Sequence, residues 1–263
     1  MVLIADDSSE LREYLVQLLS SRYNIITATD GEEGYEKTIS EQPDLVLTDV
    51  VMPKVNGLEL CRKIKENPYT SHIPVILISA RDLPAYKMEG YNMLTDDYIT
   101  KPFHADLLLS RIDNLIRQRE CMRQSFRTSI NLEPSAVTAT PVDEKFIRNC
   151  IENIEEHISD AEYGVDDLCR NIGYSRPQFY RKIKSITGLS AIQFMRTVRL
   201  KRAAQLLSSG AGMSVAEVMY AVGFNNITYF SKIFSAEFGV SPKDYKGEEG
   251  GGAKADSDKF VKE

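Results

Sequence analysis

Short apolar runs alternate with amphipathic segments over the first 120 residues. The runs occupy residues 2–5, 25–28, 45–47, 74–80 and 98–102. Each is too short for a helix, which is typical of strands that are buried on both faces of a sheet. The segments between them carry apolar residues at helical spacing, as at Leu11, Leu15 and Leu18. Five such alternations predict an α/β fold, a doubly wound five-stranded parallel sheet with helices on both faces.

The pattern changes at residue 143, after which every periodic segment is helical and the sequence repeats itself. Gly173-Tyr174 matches Gly223-Phe224 at an offset of 50 residues, and Phe179 matches Phe230 at an offset of 51. Each copy has the form helix, glycine-containing turn, helix. We therefore predict an all-α domain with two helix-turn-helix units.

Local signals mark where helices begin in this second half and how the two halves connect. Capping boxes begin at Ser175, Ser190 and Ser214, and Pro242 is expected to start one more helix. Helical spacing continues through Phe126, so the last helix of the sheet domain is expected to extend as a connecting rod. The predicted parts are a sheet domain (1–120), a helical extension and linker (121–142), a double helix-turn-helix domain (143–247) and a disordered tail (248–263).

Charge is distributed unevenly along this chain of 263 residues, whose net charge is -6. Residues 168–216 carry nine Lys or Arg and no Asp or Glu, which favours contact with a polyanion. The four cysteines form no C-x-x-C pair, so neither a zinc site nor a disulfide framework is predicted. We expect a cytoplasmic protein, because no leader precedes the first strand and no apolar run reaches the ~20 residues of a membrane helix.

Polar residues follow or end four of the predicted strands. They are Asp6 and Asp7, Asp49, Ser79, and Lys101. Each carboxylate alone fits a capping residue better than a metal ligand, but the carboxyl ends of parallel strands meet at one edge of a sheet. Clustered carboxylates repel one another unless a cation is present, and oxygen ligands suit Mg²⁺. A carboxylate beside Mg²⁺ and a lysine can accept a phosphoryl group. Because there is no Gly-rich phosphate loop, we expect another protein rather than ATP to be the donor.

Residues 1–120 resemble the receiver domain of two-component response regulators. The resemblance is carried by these polar residues, the run Asp49-Val50-Val51-Met52-Pro53, Gly57 and the run from Tyr98 to Pro102. That family has a flavodoxin-like fold. The resemblance implies that Asp49 is the phosphoacceptor and that a phosphohistidine on a histidine kinase is the donor. This chain departs from the family pattern at Leu94-Thr95, where Gly-Ala is common. The departure is expected to affect the fourth helix of the sheet domain, between the fourth and fifth strands, and the output face.

The same resemblance implies a role for each polar residue of the site. The Mg²⁺ ligands would be Asp6, Asp7, Asp49 and the backbone carbonyl of Val51. Lys101 would pair with the aspartyl phosphate, Ser79 would move to hydrogen-bond it, and Tyr98 would turn inward in response.

In each repeat of the second half, the second helix has one apolar face and one polar face. The core face of the first such helix is predicted by Phe179, Ile183 and Ile186. In both helices the face opposite the core carries no Asp or Glu. Most single Lys or Arg residues on helices are merely solvated. An acid-free exposed helix nevertheless fits a DNA major groove, and a connecting helix over residues 190–207, roughly 27 Å long, would hold two such helices about one DNA turn apart.

Residues 143–247 resemble the AraC-type DNA-binding domain through Ala221-Val222-Gly223-Phe224, Tyr229-Phe230-Ser231 and Gly239-Val240-Ser241-Pro242. The resemblance implies groove contacts from both repeats. The implied contact residues are Arg176, Tyr180, Arg181 and Lys184 in the first, and Asn226, Thr228, Ser231 and Lys232 in the second.

The combination predicts a phosphorylation-regulated, sequence-specific DNA-binding transcription factor that is a homodimer when phosphorylated. It would not be an enzyme beyond phosphorylating itself from phosphohistidine and slowly dephosphorylating. The alternative is a receiver that acts as a phosphorylation-independent protein-interaction module. An aspartate-nucleophile phosphatase is disfavoured, because Val51 stands where such enzymes usually have a second Asp. The domain order also resembles the C-terminal end of hybrid sensors, in which kinase and regulator share one chain.

Overall fold

A computed structural model describes residues 1–80, 95–128, 133–136, 138–209 and 212–245 of the chain. Five parallel strands form one sheet in the order β2-β1-β3-β4-β5. They are β1 (Val2–Ala5), β2 (Ile25–Ala28), β3 (Leu45–Asp49), β4 (Val75–Ala80) and β5 (Asp97–Lys101). The order reverses between β1 and β3, so the predicted doubly wound parallel sheet is confirmed.

Helices cover both faces of this sheet. The described helices are α1 (Ser9–Leu19), α2 (Gly31–Glu41), α3 (Gly57–Glu66) and α4 (Ala105–Thr128). Successive residues of a strand point to opposite faces. Val2 and Ile4 accordingly pack in the core with α1 and α4, whereas Leu3 and Ala5 pack in the core with α3.

The second half of the chain is helical, as predicted. A 3₁₀ turn (Pro134–Ala136) precedes α5 (Pro141–Glu156), α6 (Val165–Ile172), α7 (Arg176–Thr187), α8 (Ala191–Ser208), α9 (Val215–Ala221) and α10 (Ile227–Phe238). The pairs α6–α7 and α9–α10 are the two helix-turn-helix units. Gly173 and Gly223 lie in their turns with φ of 73° and 75°, a left-handed conformation that favours glycine.

The helix α4 continues past the sheet and packs in two places. Its 24 residues span roughly 36 Å. Leu108 and Ile112 belong to the core on the α1 side of the sheet, whereas Phe126 lies in the core of the first helix-turn-helix unit and stacks on Phe194 at 5.7 Å. One helix therefore contributes to two hydrophobic cores.

One expected helix start was wrong. Pro242 begins no helix among the residues described up to position 245; residues 242–244 form a single turn, closed by a bond from the Asp244 amide to the Ser241 carbonyl. The Ser241 hydroxyl also donates to the Asp244 carboxylate at 2.6 Å, which stabilises the turn without a following helix.

Two other expectations lie outside the described residues. These are the effect of Leu94-Thr95 on the helix expected between β4 and β5 and on the output face, and the disordered tail over residues 248–263. Among the helices that the structure does describe, none is both long enough and apolar enough to cross a membrane.

Candidate functional site

Three carboxylates converge at the carboxyl edge of the sheet. One oxygen each from Asp6, Asp7 and Asp49 lies within 4.8 Å of the other two. They converge because β1 and β3 are adjacent and parallel, with Ala5 opposite Thr48, so the next residue of each strand meets its neighbour. Asp6 is buried, Asp49 is half-buried and Asp7 is exposed. The cluster therefore opens to solvent on the side of Asp7.

Lys101 at the end of β5 reaches this cluster. Its Nζ lies 2.9 Å from Oδ2 of Asp49 and 3.4 Å from Oδ2 of Asp6. Ser79 is buried at the end of the intervening strand β4, opposite Thr100. Tyr98, also on β5, is 44% exposed and so lies in an outward position. The structure thus brings Asp6, Asp7, Asp49 and Lys101 together as the strand pattern predicted.

The three carboxylates of the site carry more negative charge than Lys101 alone can balance. Burial raises the pKa of the Asp6 carboxyl above its ordinary value of 3.8, and the negative charge of Asp49 raises it further. The backbone N–H of Ser8 and the ammonium of Lys101 oppose this shift without cancelling it. An all-oxygen donor set with uncompensated negative charge fits a hard divalent cation such as Mg²⁺.

The loop after β3 is held against the strand end by a close backbone contact. A Cβ on Gly57 would lie 1.9 Å from the carbonyl oxygen of Asp49, and the Gly57 N–H donates to the Val50 carbonyl at 3.1 Å. Lys54, whose φ is +60°, anchors the loop by an ion pair of 2.7 Å with Asp30. Between these anchors Val51, two residues after Asp49, is 69% exposed.

The residues predicted on the first DNA-reading helix, α7, differ in their exposure and in their neighbours. Arg176 is exposed, and Asp166 of the preceding helix α6 lies 3.4 Å from its guanidinium. The polar face of α7 carries no acid of its own, but an acid of α6 borders it at this position. The side chain of Tyr180 is half-buried and lies 5.4 Å below the Arg176 guanidinium. Arg181 and Lys184 are exposed, one helical turn from Pro177 and Tyr180 respectively.

The second such helix, α10, presents its predicted residues more openly. Thr228 and Lys232 are exposed, and Ser231 is half-buried. Asn226 is the N-cap, where its Oδ1 accepts from the Tyr229 N–H at 2.8 Å. The capping bond uses the oxygen of the Asn226 side chain and leaves its amide nitrogen as the donor for the predicted contact with DNA.

Comparison with known proteins agrees with both halves of the structure. The family model for the response regulator receiver domain matches residues 2–113, and that for a helix-turn-helix domain matches residues 168–248. Response regulator ArlR of Staphylococcus aureus is 32% identical over 165 residues, which cover 62% of this chain and 69% of that protein. The chain belongs to the response regulator family. Its receiver is followed by an AraC-type helix-turn-helix domain.

Two further relatives are similar to parts of this response regulator. Histidine kinase P4 of Formosa agariphila is 35% identical over 245 residues, which cover 93% of this chain and 18% of that protein. The chain thus spans less than a fifth of that kinase. The receiver domain of a signal transduction histidine kinase from Syntrophus aciditrophicus has 32% identity and a TM-score of 0.42, over 44% of this chain and 89% of that one.

Sequence reasoning missed a buried ion pair in this response regulator. Lys182 of α7 and Asp143 of α5 are each 1% exposed and lie 2.6 Å apart. A signal was available, because Lys182 follows Phe179 by three positions and thus shares its helical face. A lysine on a core face must find a partner, and the sequence did not reveal which one.

Proposed function

We propose that phosphorylation of Asp49 controls this response regulator. In the transfer, the N–P bond of a phosphohistidine on the kinase breaks as an O–P bond forms to a carboxylate oxygen of Asp49. The leaving imidazole keeps the electron pair and takes up a proton. The observation that carries the proposal is the position of Asp49. Its carboxylate forms an ion pair with Lys101 and belongs to the carboxylate cluster at the carboxyl edge of the sheet.

The residues around Asp49 have complementary tasks in this proposal. Lys101 already lies against Asp49 and would neutralise the added phosphate. Asp6, Asp7, Asp49 and the backbone carbonyl of Val51 would hold Mg²⁺, which supplies positive charge for the phosphoryl oxygens when bound. Ser79, buried at the end of β4, would move to hydrogen-bond the phosphate. Tyr98 would leave its exposed position and turn inward.

The output of this switch would be sequence-specific binding to double-stranded DNA. The proposed contacts on α7 are Arg176, Tyr180, Arg181 and Lys184, and those on α10 are Asn226, Thr228, Ser231 and Lys232. The phosphorylated form would act as a homodimer. The match of 93% of this chain to part of a histidine kinase favours a donor kinase in the same polypeptide, as in a hybrid sensor. Beyond self-phosphorylation and slow dephosphorylation, no catalysis is proposed.

Acetyl phosphate with Mg²⁺, followed by mass spectrometry of the intact protein and of its peptides, tests the phosphorylation. We expect one added phosphoryl group, located on Asp49, and none in Asp49→Asn. Asp44→Asn is the matched control. Asp44 directly precedes β3, at the end of the strand opposite to Asp49, and its side chain is 78% exposed. An unmodified Asp49 in a protein that still binds DNA would favour the alternative, a receiver that works by protein interaction alone.

A further inference from the structure

The receiver touches the first DNA-reading helix through a buried polar cluster. Lys182 of α7 donates to the Pro68 carbonyl at 2.6 Å, to the Ser71 hydroxyl at 3.0 Å and to the Asp143 carboxylate at 2.6 Å. The Ser71 hydroxyl in turn donates to Asp143 at 2.7 Å. Pro68 and Ser71 belong to the turn between α3 and β4, so two of the three bonds of this ammonium cross from one domain to the other. We call Ser71, Asp143 and Lys182 the Lys182 cluster.

The Lys182 cluster is charged although it is excluded from water. Burial lowers the pKa of Lys182, and the charge of Asp143 opposes this shift. Burial acts to raise the pKa of Asp143, but the charge of Lys182 and the hydrogen bonds from Lys182 and Ser71 outweigh it and lower that pKa. A buried pair of this kind depends on complete hydrogen bonding of both partners. Here the receiver supplies part of that bonding, so the cluster is complete only when the domains are in contact.

A crevice lies between residues of the receiver and the polar face of α7. Its volume is about 410 Å³. Gln42, Asp44 and His72 of the receiver line it together with Arg181 and Lys184 of α7. At ~30 Å³ per water molecule the crevice holds on the order of a dozen waters. A recognition helix must enter a major groove about 12 Å wide in order to read it. A space of about 410 Å³ cannot hold a duplex, so α7 cannot enter a major groove from this side while the receiver is in place.

The rod helix α4 adds a second attachment to α7. Arg123 donates through Nε to the Ser185 carbonyl at 2.9 Å, and Arg127 donates to the Gly188 carbonyl at 2.7 Å. Both acceptors lie at the C-terminal end of α7, where carbonyl groups lack helical partners. The receiver therefore holds α7 at its middle by the Lys182 cluster and at its end by α4. In contrast, Thr228 and Lys232 of α10 remain exposed.

The geometry points to competition between the receiver and DNA for α7. In the closed arrangement only α10 is available to a duplex, and α7 reads DNA after the receiver turn has left the Lys182 cluster. This inference rests on the proposed function in one respect, that α7 is a DNA-reading helix. It adds the surface on which control is exerted, which is the sheet edge opposite the phosphorylation site.

The variant Ser71→Arg tests the contact from the receiver side. Ser71 is fully buried, and a guanidinium in its place would meet the ammonium of Lys182 without room for either. After the domains separate, Lys182 and Asp143 keep each other as partners and water replaces the hydrogen bonds from the receiver, so the helix-turn-helix domain stays folded. Gln17→Arg on the exposed side of α1 adds the same charge away from the contact and is the matched control.

The first readout is the reactivity of lysine amines toward a small acylating reagent, followed by peptide mass spectrometry. In the wild type and in Gln17→Arg, we expect Lys182 to react at least tenfold more slowly than the exposed Lys184. In Ser71→Arg the two lysines should react at similar rates. A wild-type Lys182 that reacts as fast as Lys184 would show that the closed arrangement does not exist in solution.

The second readout is affinity for a labelled mixed-sequence duplex as a function of salt. We expect unphosphorylated Ser71→Arg to bind at least tenfold more tightly than Gln17→Arg. Its log–log salt dependence should also be steeper by about 2, because Arg181 and Lys184 gain phosphate contacts worth ~0.9 each. The double variant Arg123→Ala, Arg127→Ala should also bind DNA more tightly, although it removes two positive charges. That result would exclude added charge as the cause of the tighter binding. The double variant also tests the contact if Ser71→Arg fails to fold.

The two kinds of failure are distinguishable. Equal affinity and equal salt dependence in all these proteins, with Lys182 protected in the wild type, would refute the competition and leave the DNA-binding function intact. Loss of DNA binding in every variant and in the wild type would refute the proposed reading helices and the competition together.

Discussion

At the scale of single residues, Asp6 is where binding chemistry and stability oppose each other. Its buried carboxylate lies in a cluster of like charges, and burial together with Asp49 raises its pKa. The folded state then holds the Asp6 proton more tightly than the unfolded state does. Ionising this carboxyl therefore costs stability, and the cost grows as pH rises from 3.8 through the raised pKa.

We predict that Asp6→Asn stabilises the metal-free protein at neutral pH by about 0.5–2 kcal/mol, in the range of substitutions that relieve strained functional sites. The amide keeps an oxygen that can accept from the Ser8 N–H, as Oδ1 does now at 2.8 Å. The same change should remove most of the stabilisation that added Mg²⁺ gives the wild type, because one ligand charge is lost. Urea unfolding at neutral pH, with chelator and then with Mg²⁺, measures both effects.

Glu36→Gln is the control for this substitution, since Glu36 is an exposed residue of α2 outside the acidic cluster. It should leave the Mg²⁺-dependent increment unchanged. If Asp6→Asn instead lowers stability in chelator, then the attraction of Lys101 and the Ser8 N–H for the Asp6 carboxylate outweighs its burial and its repulsion by Asp49.

Residue-level reasoning succeeded where topology leaves no choice and failed where distant segments meet. Asp6, Asp49 and Lys101 could be placed together from sequence because the ends of parallel strands in one sheet meet at one edge. The partners of Lys182 could not, because Asp143 is 39 residues away and Ser71 is 111 residues away. Nothing local encodes that pairing; it depends on how two separately folded units dock.

At the scale of elements, α4 connects the two domains because it packs in the hydrophobic core of each. Its first turns pack in a sheet core, while Phe126 near its end is 2% exposed and stacks on Phe194 of α8. Lys201 of α8 donates to the Phe126 carbonyl and lies 4.5 Å from the centre of its ring. Helical spacing predicted the length of α4, but the spacing alone did not reveal that its last turn would be buried by another domain.

We predict that Phe126→Ala destabilises the first helix-turn-helix unit by about 3–5 kcal/mol, the usual cost of removing a buried phenyl ring. Calorimetry should show one unfolding transition for the wild type, because the two cores share α4. In the variant, a separate transition of the helix-turn-helix domain should appear at lower temperature. Ile116→Ala, at a position of the same helix that is 40% exposed, should keep the single transition. A single transition in Phe126→Ala would mean that α4 does not couple the domains.

At the scale of the whole molecule, His72 makes the closed arrangement sensitive to acid. This residue lies in the receiver beside the Lys182 cluster, is 6% exposed, and its Nδ1 has no hydrogen-bond partner. Burial lowers its pKa from 6.5 to about 3, and the positive charge of Lys182 on α7 adds to that shift. Arg119 of α4 and Lys65 of α3 act in the same direction, while Asp143 of α5 opposes them.

The sign of the resulting pH dependence follows from these shifts. The folded state binds the His72 proton more weakly than the unfolded state does, so the stability that is complete above pH 6.5 is lost as pH falls from 6.5 towards 3. At pH 5 the loss should be about 2 kcal/mol, since each pH unit below 6.5 costs up to ~1.4 kcal/mol.

We predict that His72→Gln, which cannot be protonated, flattens the difference in unfolding free energy between pH 7 and pH 5. The relevant quantity is that difference, because the change of side chain will also alter stability equally at both pH values. His104→Gln, at an exposed histidine that precedes α4, is the matched control and should keep the wild-type difference. Urea unfolding of the three proteins at both pH values measures it. An unchanged pH dependence in His72→Gln would mean that the imidazole is hydrated in solution and that the receiver does not close over α7 as tightly as the buried cluster requires.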